Sequence, residues 1–202
     1  MGTQQTLKHQ RLLEQAERLF LEKGFKAVTV EEIAVAAGIS KMTIYNQFGS
    51  KENLFTEINL LLIKRFNREV EAAVWRETNT FDRLRVYFEK GQETAELFSA
   101  SYFRDIYEMP YVMQTITKYK KETTLQILMD ILNEGSYKGE IRKEDQQFLI
   151  QLLDVLTTGM MQNMPQMGEK DMMAFNRRLF EFIQRGLIAG TKGDSPNEQT
   201  GR

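Results

Sequence analysis

The stretch TVEEIAVAAGISKMTIYNQFGSK, from Thr29 to Lys51, constrains this chain more than any other part of it. Thr29 precedes Glu32 by three residues, an arrangement that satisfies orphan amides at the start of a helix. Val30, Ile33, Ala34 and Ala37 then recur on one helical face. Gly38 falls where a left-handed residue ends the helix, a conformation that glycine adopts without a Cβ clash. Ile39 is apolar within the turn and plugs the space between two helices. Ser40 caps the next helix, in which Ile44 and Phe48 are four apart and point inward. Lys41, Met42, Thr43, Tyr45, Asn46 and Gln47 occupy its remaining surface. The pattern is a helix-turn-helix whose second helix has the size to enter a DNA major groove.

The string Ile33-Ala34-x-x-Ala37-Gly38-Ile39-Ser40-x-x-Thr43-Ile44-Tyr45-x-x-Phe48-x-x-Lys51-Glu52-x-Leu54 resembles the N-terminal signature of the TetR family of transcriptional regulators. About a dozen defined positions match without a gap. The resemblance covers roughly residues 7–60, with architecture alone similar beyond that. One departure is Met42, where many members carry a small residue, often Gly. Thr29 and Thr43 sit at helix N-termini, where hydroxyls and backbone amides reach phosphates. The resemblance adds Tyr45 and Lys51 as clamps on the DNA backbone. Lys41 and Asn46 are candidates for base edges, Lys favouring guanine and Asn adenine, with Gln47 and Met42 as further candidates.

Composition narrows the alternatives. The 202 residues are 42% apolar and 27% charged, with no Cys and a single His, His9. Disulfides, thiolate metal sites and Cys nucleophiles are excluded, and His9 is expected to be a solvated surface residue. Neither an apolar signal region nor a run of about 18–20 apolar residues is present, so no membrane association and a cytoplasmic location are expected. Net charge is −1, divided as +2 over residues 1–51 (7 basic, 5 acidic) and −3 over 52–202 (20 basic, 23 acidic). DNA affinity must then come from placed contacts and helix N-termini rather than a broad basic field.

In chain order, residues 1–6 read as a loose arm and about 7–23 as a helix buried through Leu12, Ala16, Leu19 and Phe20, stopped by Gly24. Phe25 and Val28 close the small core. Ser50 caps a long helix from Lys51 to about Trp75, on the order of 37 Å in length. Its apolar face suits two cores at once, making it a lever between them. A helix opens at Thr80 or Asp82, a short aromatic piece spans 99–109, and Pro110 begins a helix running to Glu134 with Gly135 as its C-cap. Residues 137–142 form a tight connector anchored by Ile141. Helices of about 145–164 and 170–189 follow, and the polar segment 191–202 reads as a disordered tail. The fold class is all-α, with a three-helix helix-turn-helix domain over 1–50 joined by the long helix to a helical ligand-binding and dimerisation domain over 51–190.

Leu149, Leu152, Leu156, Gly159 and Asn163 share one face of the first C-terminal helix, and Met172, Phe175, Leu179, Phe182 and Gly186 share one face of the second. Gly inside a helix costs about 1 kcal/mol relative to Ala, so its placement on apolar stripes points to a close crossing. A four-helix homodimer interface satisfies that pattern, as does a purely internal core. Six of the eleven Met residues lie between 160 and 173, suited to adaptable packing.

On the effector side, Phe98, Tyr102, Phe103, Tyr107 and Tyr111 cluster where TetR-like proteins hold a ligand cavity, and Phe66 and Trp75 could face the same space. The expected effector is an unidentified small molecule, largely apolar. Asp105, Glu108 and Glu122 could attract a cation or be ordinary solvated charges. No P-loop, G-x-S-x-G, paired His or Gly-rich dinucleotide turn occurs, so neither enzyme nor cofactor nor metal is expected. The reading is a homodimeric, ligand-responsive repressor of a palindromic double-stranded DNA operator. The alternative is a helical DNA-binding protein without a small-molecule effector, controlled by a protein partner or architectural.

Overall fold

The computed structural model describes residues 2–143 and 146–152, with residues 155, 174, 177, 178, 181 and 182 beyond them. Among the described residues no strand occurs, and the order is α1 (Gly2–Lys23), α2 (Val30–Ala37), α3 (Lys41–Phe48), α4 (Lys51–Val74), α5 (Thr80–Ala95), α6 (Ala100–Tyr107), α7 (Pro110–Glu122) and α8 (Thr124–Tyr137). The fold class is therefore all-α, an amino-terminal helix-turn-helix joined by the long α4 to a helical body. Leu156, Gly159, Asn163, Met172, Phe175, Leu179, Gly186 and the tail from 191 lie outside the described residues.

Two apolar cores divide the described chain. The first gathers Leu12, Ala16, Leu19 and Phe20 of α1 with Ile33, Ile44, Leu54, Phe55 and Ile58, and reaches past residue 50 to Tyr102, Ile106, Val112 and Ile116. The second holds Val70, Val74, Leu84, Phe88, Ile127, Leu128, Ile131, Leu132, Ile141 and Leu149. Burying each large side chain from water contributes about 1.5–3 kcal/mol, which is why α4, apolar along most of its length, is fixed at both ends. It supplies Leu54, Phe55, Ile58 and Ile63 to the first core and Val70 and Val74 to the second.

Three elements differ from the expectation. Helix α1 begins at Gly2 rather than about Leu7, because the polar segment preceding Leu7 contains no helix breaker at an interior position. The helix expected over 110–134 divides at Thr123 (φ −125°, ψ −64°) into α7 and α8. Thr123 Oγ1 donates to Tyr119 O at 2.7 Å and Thr124 Oγ1 to Asn67 Oδ1 at 2.8 Å, so two hydroxyls take over contacts at the break. Gly135 is not a C-cap but lies buried inside α8, where an added Cβ would collide with the Thr80 side chain. Gly139, at φ 73°, takes the left-handed position instead.

Of the residues assigned to a dimer interface, Leu149 is turned into the chain's own second core, Leu152 is half-buried and Phe182 is 70% exposed. No helix among the described residues is long and apolar enough to cross a membrane.

Candidate nucleic-acid interface

The presented helix is α3, and both of its flanking turns are locked by side chains. Thr29 is extended and its Oγ1 accepts the Glu32 N–H at 3.1 Å, starting α2. Gly38, at φ 69°, ends α2, after which the Ile39 N–H reaches Ala34 O at 3.0 Å. Ser40 Oγ accepts the Thr43 N–H at 3.1 Å and its hydroxyl shares a 2.9 Å hydrogen bond with that of Thr43. Ser50 Oγ accepts the Asn53 N–H at 3.0 Å, and Asn53 Nδ2 donates to Phe48 O at 2.8 Å, tying the end of α3 to α4. Ile44 is fully buried, and Ile39 and Phe48 pack against the first core.

That leaves an outward face. Lys41, Met42, Tyr45, Asn46 and Gln47 are exposed, Met42 by 67% and Tyr45 by 46%, and Thr43 is half-buried. Thr29 is also exposed at the start of α2. A hollow of about 540 Å³ runs beside this face, lined by Lys8, Ala34, Val35, Gly38, Ile39, Ser40, Thr43 and Gln47.

The charges near α3 are held in pairs. Lys41 Nζ bonds Glu31 Oε1, a contact that raises the Lys41 pKa and lowers that of Glu31. The Glu32 carboxylate pairs with Lys23 Nζ at 2.5 Å and also meets the Thr29 backbone N–H, the reciprocal contact of the capping box, and both contacts lower its pKa, the Lys23 contact first. Lys51 points inward. Its ammonium donates to Phe25 O at 2.9 Å and Val28 O at 2.8 Å and lies 4.0 Å from the Phe25 ring centroid. Partial burial lowers its pKa. The expected backbone clamp is thus occupied as a brace across the α1–α2 loop. The reason is local: that loop has carbonyls facing inward, and buried carbonyls require donors.

His9 is not simply solvated. Its ring lies 6.0 Å from and nearly parallel to Phe48 (9°), and Nδ1 donates to Gln47 Oε1 at 3.0 Å. Sequence periodicity carries no signal for this contact, because the two residues are 38 positions apart and both exposed.

The aromatic residues expected around a ligand fall in several different settings. Phe98, Tyr102 and Phe103 form a ring cluster, with centroid separations of 5.1, 5.4 and 6.5 Å. Tyr102 is fully buried, meets Phe55 edge-on at 5.2 Å and donates to Asn59 Oδ1 at 3.0 Å. Burial pushes its phenol pKa up, and pushes that of Tyr107 up to about 12. Phe66 packs against the second core, Trp75 lies beneath the Arg83 guanidinium at 4.5 Å, and Tyr111 is 66% exposed. A separate cavity of about 380 Å³ is lined by Leu60, Gln114, Thr115, Lys118, Tyr119 and Glu122, none of the seven. Asp105 is buried and accepts the Lys26 N–H, while Glu108 pairs with the Lys26 ammonium, so both serve the fold.

A capped helix, a glycine turn and a second capped helix with an outward face make up a helix-turn-helix unit. Residues 12–58 match the model of the bacterial regulatory proteins of the tetR family. AlkX, an HTH-type transcriptional regulator of Mycobacterium tuberculosis H37Rv, is 30% identical over 117 residues, covering 58% of this chain and 51% of that protein. The chain thus spans about half the length of this curated relative. The structure of the Bacillus subtilis transcriptional regulator FadR in complex with stearoyl-CoA shares the fold, with a TM-score of 0.63 and 20% identity over 88% of this chain and 98% of that one. AibR in complex with isovaleryl coenzyme A and operator DNA does likewise, with a TM-score of 0.56 and 20% identity over 90% and 98% of the two chains.

Proposed function

We propose that the chain is a ligand-responsive transcriptional repressor that acts as a homodimer on a palindromic operator in the cytoplasm. The observation that carries this reading is the exposed face of α3, held rigid by the Ser40 cap at one end and the Asn53–Phe48 contact at the other. Rigid presentation of polar side chains by one helix is what major-groove reading requires. Two heads on a dimer would meet half-sites about 34–36 Å apart, one helical turn of DNA. Thr29, Thr43 and Tyr45 would contact phosphates, and Lys41, Asn46 and Gln47 base edges.

Release would follow if an effector bound the helical body in one arrangement of α4 more tightly than in the other. A small, largely apolar effector is proposed, with long- and short-chain acyl-coenzyme A thioesters the first compounds to try, since FadR and AibR are described with such ligands. One observation favours a second reading, control by a protein partner: the Phe98–Tyr102–Phe103 cluster is packed ring on ring. The test is selection of bound fragments from a random double-stranded library, followed by gel-shift titration with acyl-coenzyme A compounds of different length. A palindromic consensus whose complex dissociates with one compound supports the first reading. A consensus indifferent to all of them moves the proposal to the second, and no consensus removes both.

A further inference from the structure

His9 belongs to α1 but sits on the recognition helix. Its imidazole is stacked on Phe48, itself packed against the first core, and Nδ1 lies 3.0 Å from Gln47 Oε1. A carboxamide oxygen carries no hydrogen, so the ring nitrogen is the donor. The ring platform and the hydrogen bond together fix where the Gln47 oxygen points.

We infer that His9 is a positioning residue for base reading: by holding the Gln47 oxygen toward α1, it leaves the Nε2 amide as the group offered to the DNA groove. The inference rests on the DNA-binding reading above. An unrestrained Gln recognises adenine bidentately, donating to N7 while accepting from the N6 amine. That pairing needs oxygen and nitrogen aimed at one base. With the oxygen engaged by His9, Gln47 acts as a donor and matches acceptor edges, the O6 and N7 of guanine or the O4 of thymine. The hollow beside Gln47 contains no acidic side chain in its lining and Lys8 contributes a cation, which suits it to acceptor groups.

Two measurements on the full chain test this. Because the chain has one His, a long-range proton–nitrogen NMR spectrum reports His9 alone. At a pH where the ring is neutral, the Nδ1–H tautomer is expected, converting to Nε2–H in Gln47→Leu; an Nε2–H ring in the unaltered protein overturns the inference. Selection from a random double-stranded library is then compared for the unaltered chain, His9→Phe, which keeps a ring on Phe48 without the donor, and Gln47→Ala. The unaltered chain should prefer guanine or thymine over adenine at one base pair per half-site. His9→Phe should shift that pair toward adenine by roughly tenfold, and Gln47→Ala should flatten it. An unchanged ranking in His9→Phe overturns the inference while leaving DNA binding standing. Absence of any enriched sequence with the unaltered chain overturns the DNA-binding reading, and this one with it.

Discussion

The buried carboxylate of Asp105, on α6, accepts the backbone N–H of Lys26 at 3.0 Å, joining the helical body to the loop that follows α1. The two residues are 79 positions apart. Asp105 Oδ2 also occupies the space that a side chain at Gly24 would fill, 2.7 Å from an added Cβ, and Gly24 has φ 80°. Asp105→Ala should lower stability by about 1–3 kcal/mol, the cost of leaving a donor without its acceptor, whereas Asp105→Asn can keep a carbonyl oxygen there and lose less. Gly24→Ala should cost a similar amount through both collision and left-handed strain. Urea unfolding at constant slope measures all three, and an Ala variant matching the parent in midpoint refutes the linkage.

If Lys41 meets DNA as proposed, Glu31 competes with the DNA for it. The two side chains are paired and more than half exposed. Glu31→Gln removes a negative charge from the reading surface and frees the ammonium. Affinity for operator and for random DNA should both rise, most strongly at low salt, where unscreened charge counts most. Fluorescence anisotropy across a salt series checks this; an affinity that is unchanged at low salt contradicts it.

Lys51 is a structural donor in the DNA-free chain. Lys51→Met retains much of the aliphatic stem over Phe25 but strands the carbonyls of Phe25 and Val28. Hydrogen bonds from a charged donor contribute about 1.5–3 kcal/mol, so the unfolding midpoint should fall accordingly. A midpoint equal to that of the parent would show that the brace is dispensable.

Glu140 makes the acid limb of stability partly local. Contacts from Thr80, its hydroxyl first and then its backbone N–H at 2.7 Å, hold the Glu140 carboxyl below its ordinary pKa of 4.5. The folded value lies below the unfolded one, so this contribution is complete above about 4.5 and is lost as pH falls through the lowered value. Thermal melting of Glu140→Gln should therefore sit below the parent at neutral pH and converge with it in acid. Parallel curves throughout would exclude this linkage.

Gly135 permits α8 to cross the start of α5. Gly135→Ala should destabilise by about 1–3 kcal/mol through overpacking against Thr80, despite the better helix propensity of Ala. Circular dichroism melting decides between the two effects, since propensity alone would raise the melting temperature.

The reading head was legible because its determinants are local. Caps at Thr29, Ser40 and Ser50 and the turn at Gly38 are encoded within four residues of where they act. The break at Thr123 was not, because it depends on Thr124 meeting Asn67 of α4, 57 positions away. Gly135 misled for the same reason: a glycine near the end of an apolar run resembles a C-cap until Thr80 is known to lie against it. At the candidate interface the exposed residues of α3 followed from periodicity. Their partners did not: Glu31 for Lys41, His9 for Gln47 and the loop carbonyls for Lys51 are all matters of tertiary approach. The aromatic residues expected around an effector show the limit of composition, for Tyr102 and Trp75 are equally aromatic, yet one is sealed in a core and the other lies at the surface beneath Arg83.

Because α4 is one uninterrupted helix of 24 residues, a small rotation at one of its ends would be enlarged at the other. A rod of about 36 Å that pivots by ten degrees at one end sweeps its other end through about 6 Å, comparable to the rise of nearly two stacked base pairs. A displacement of the second core too small to disturb its packing would thus be magnified into a mismatch that a rigid double helix cannot follow.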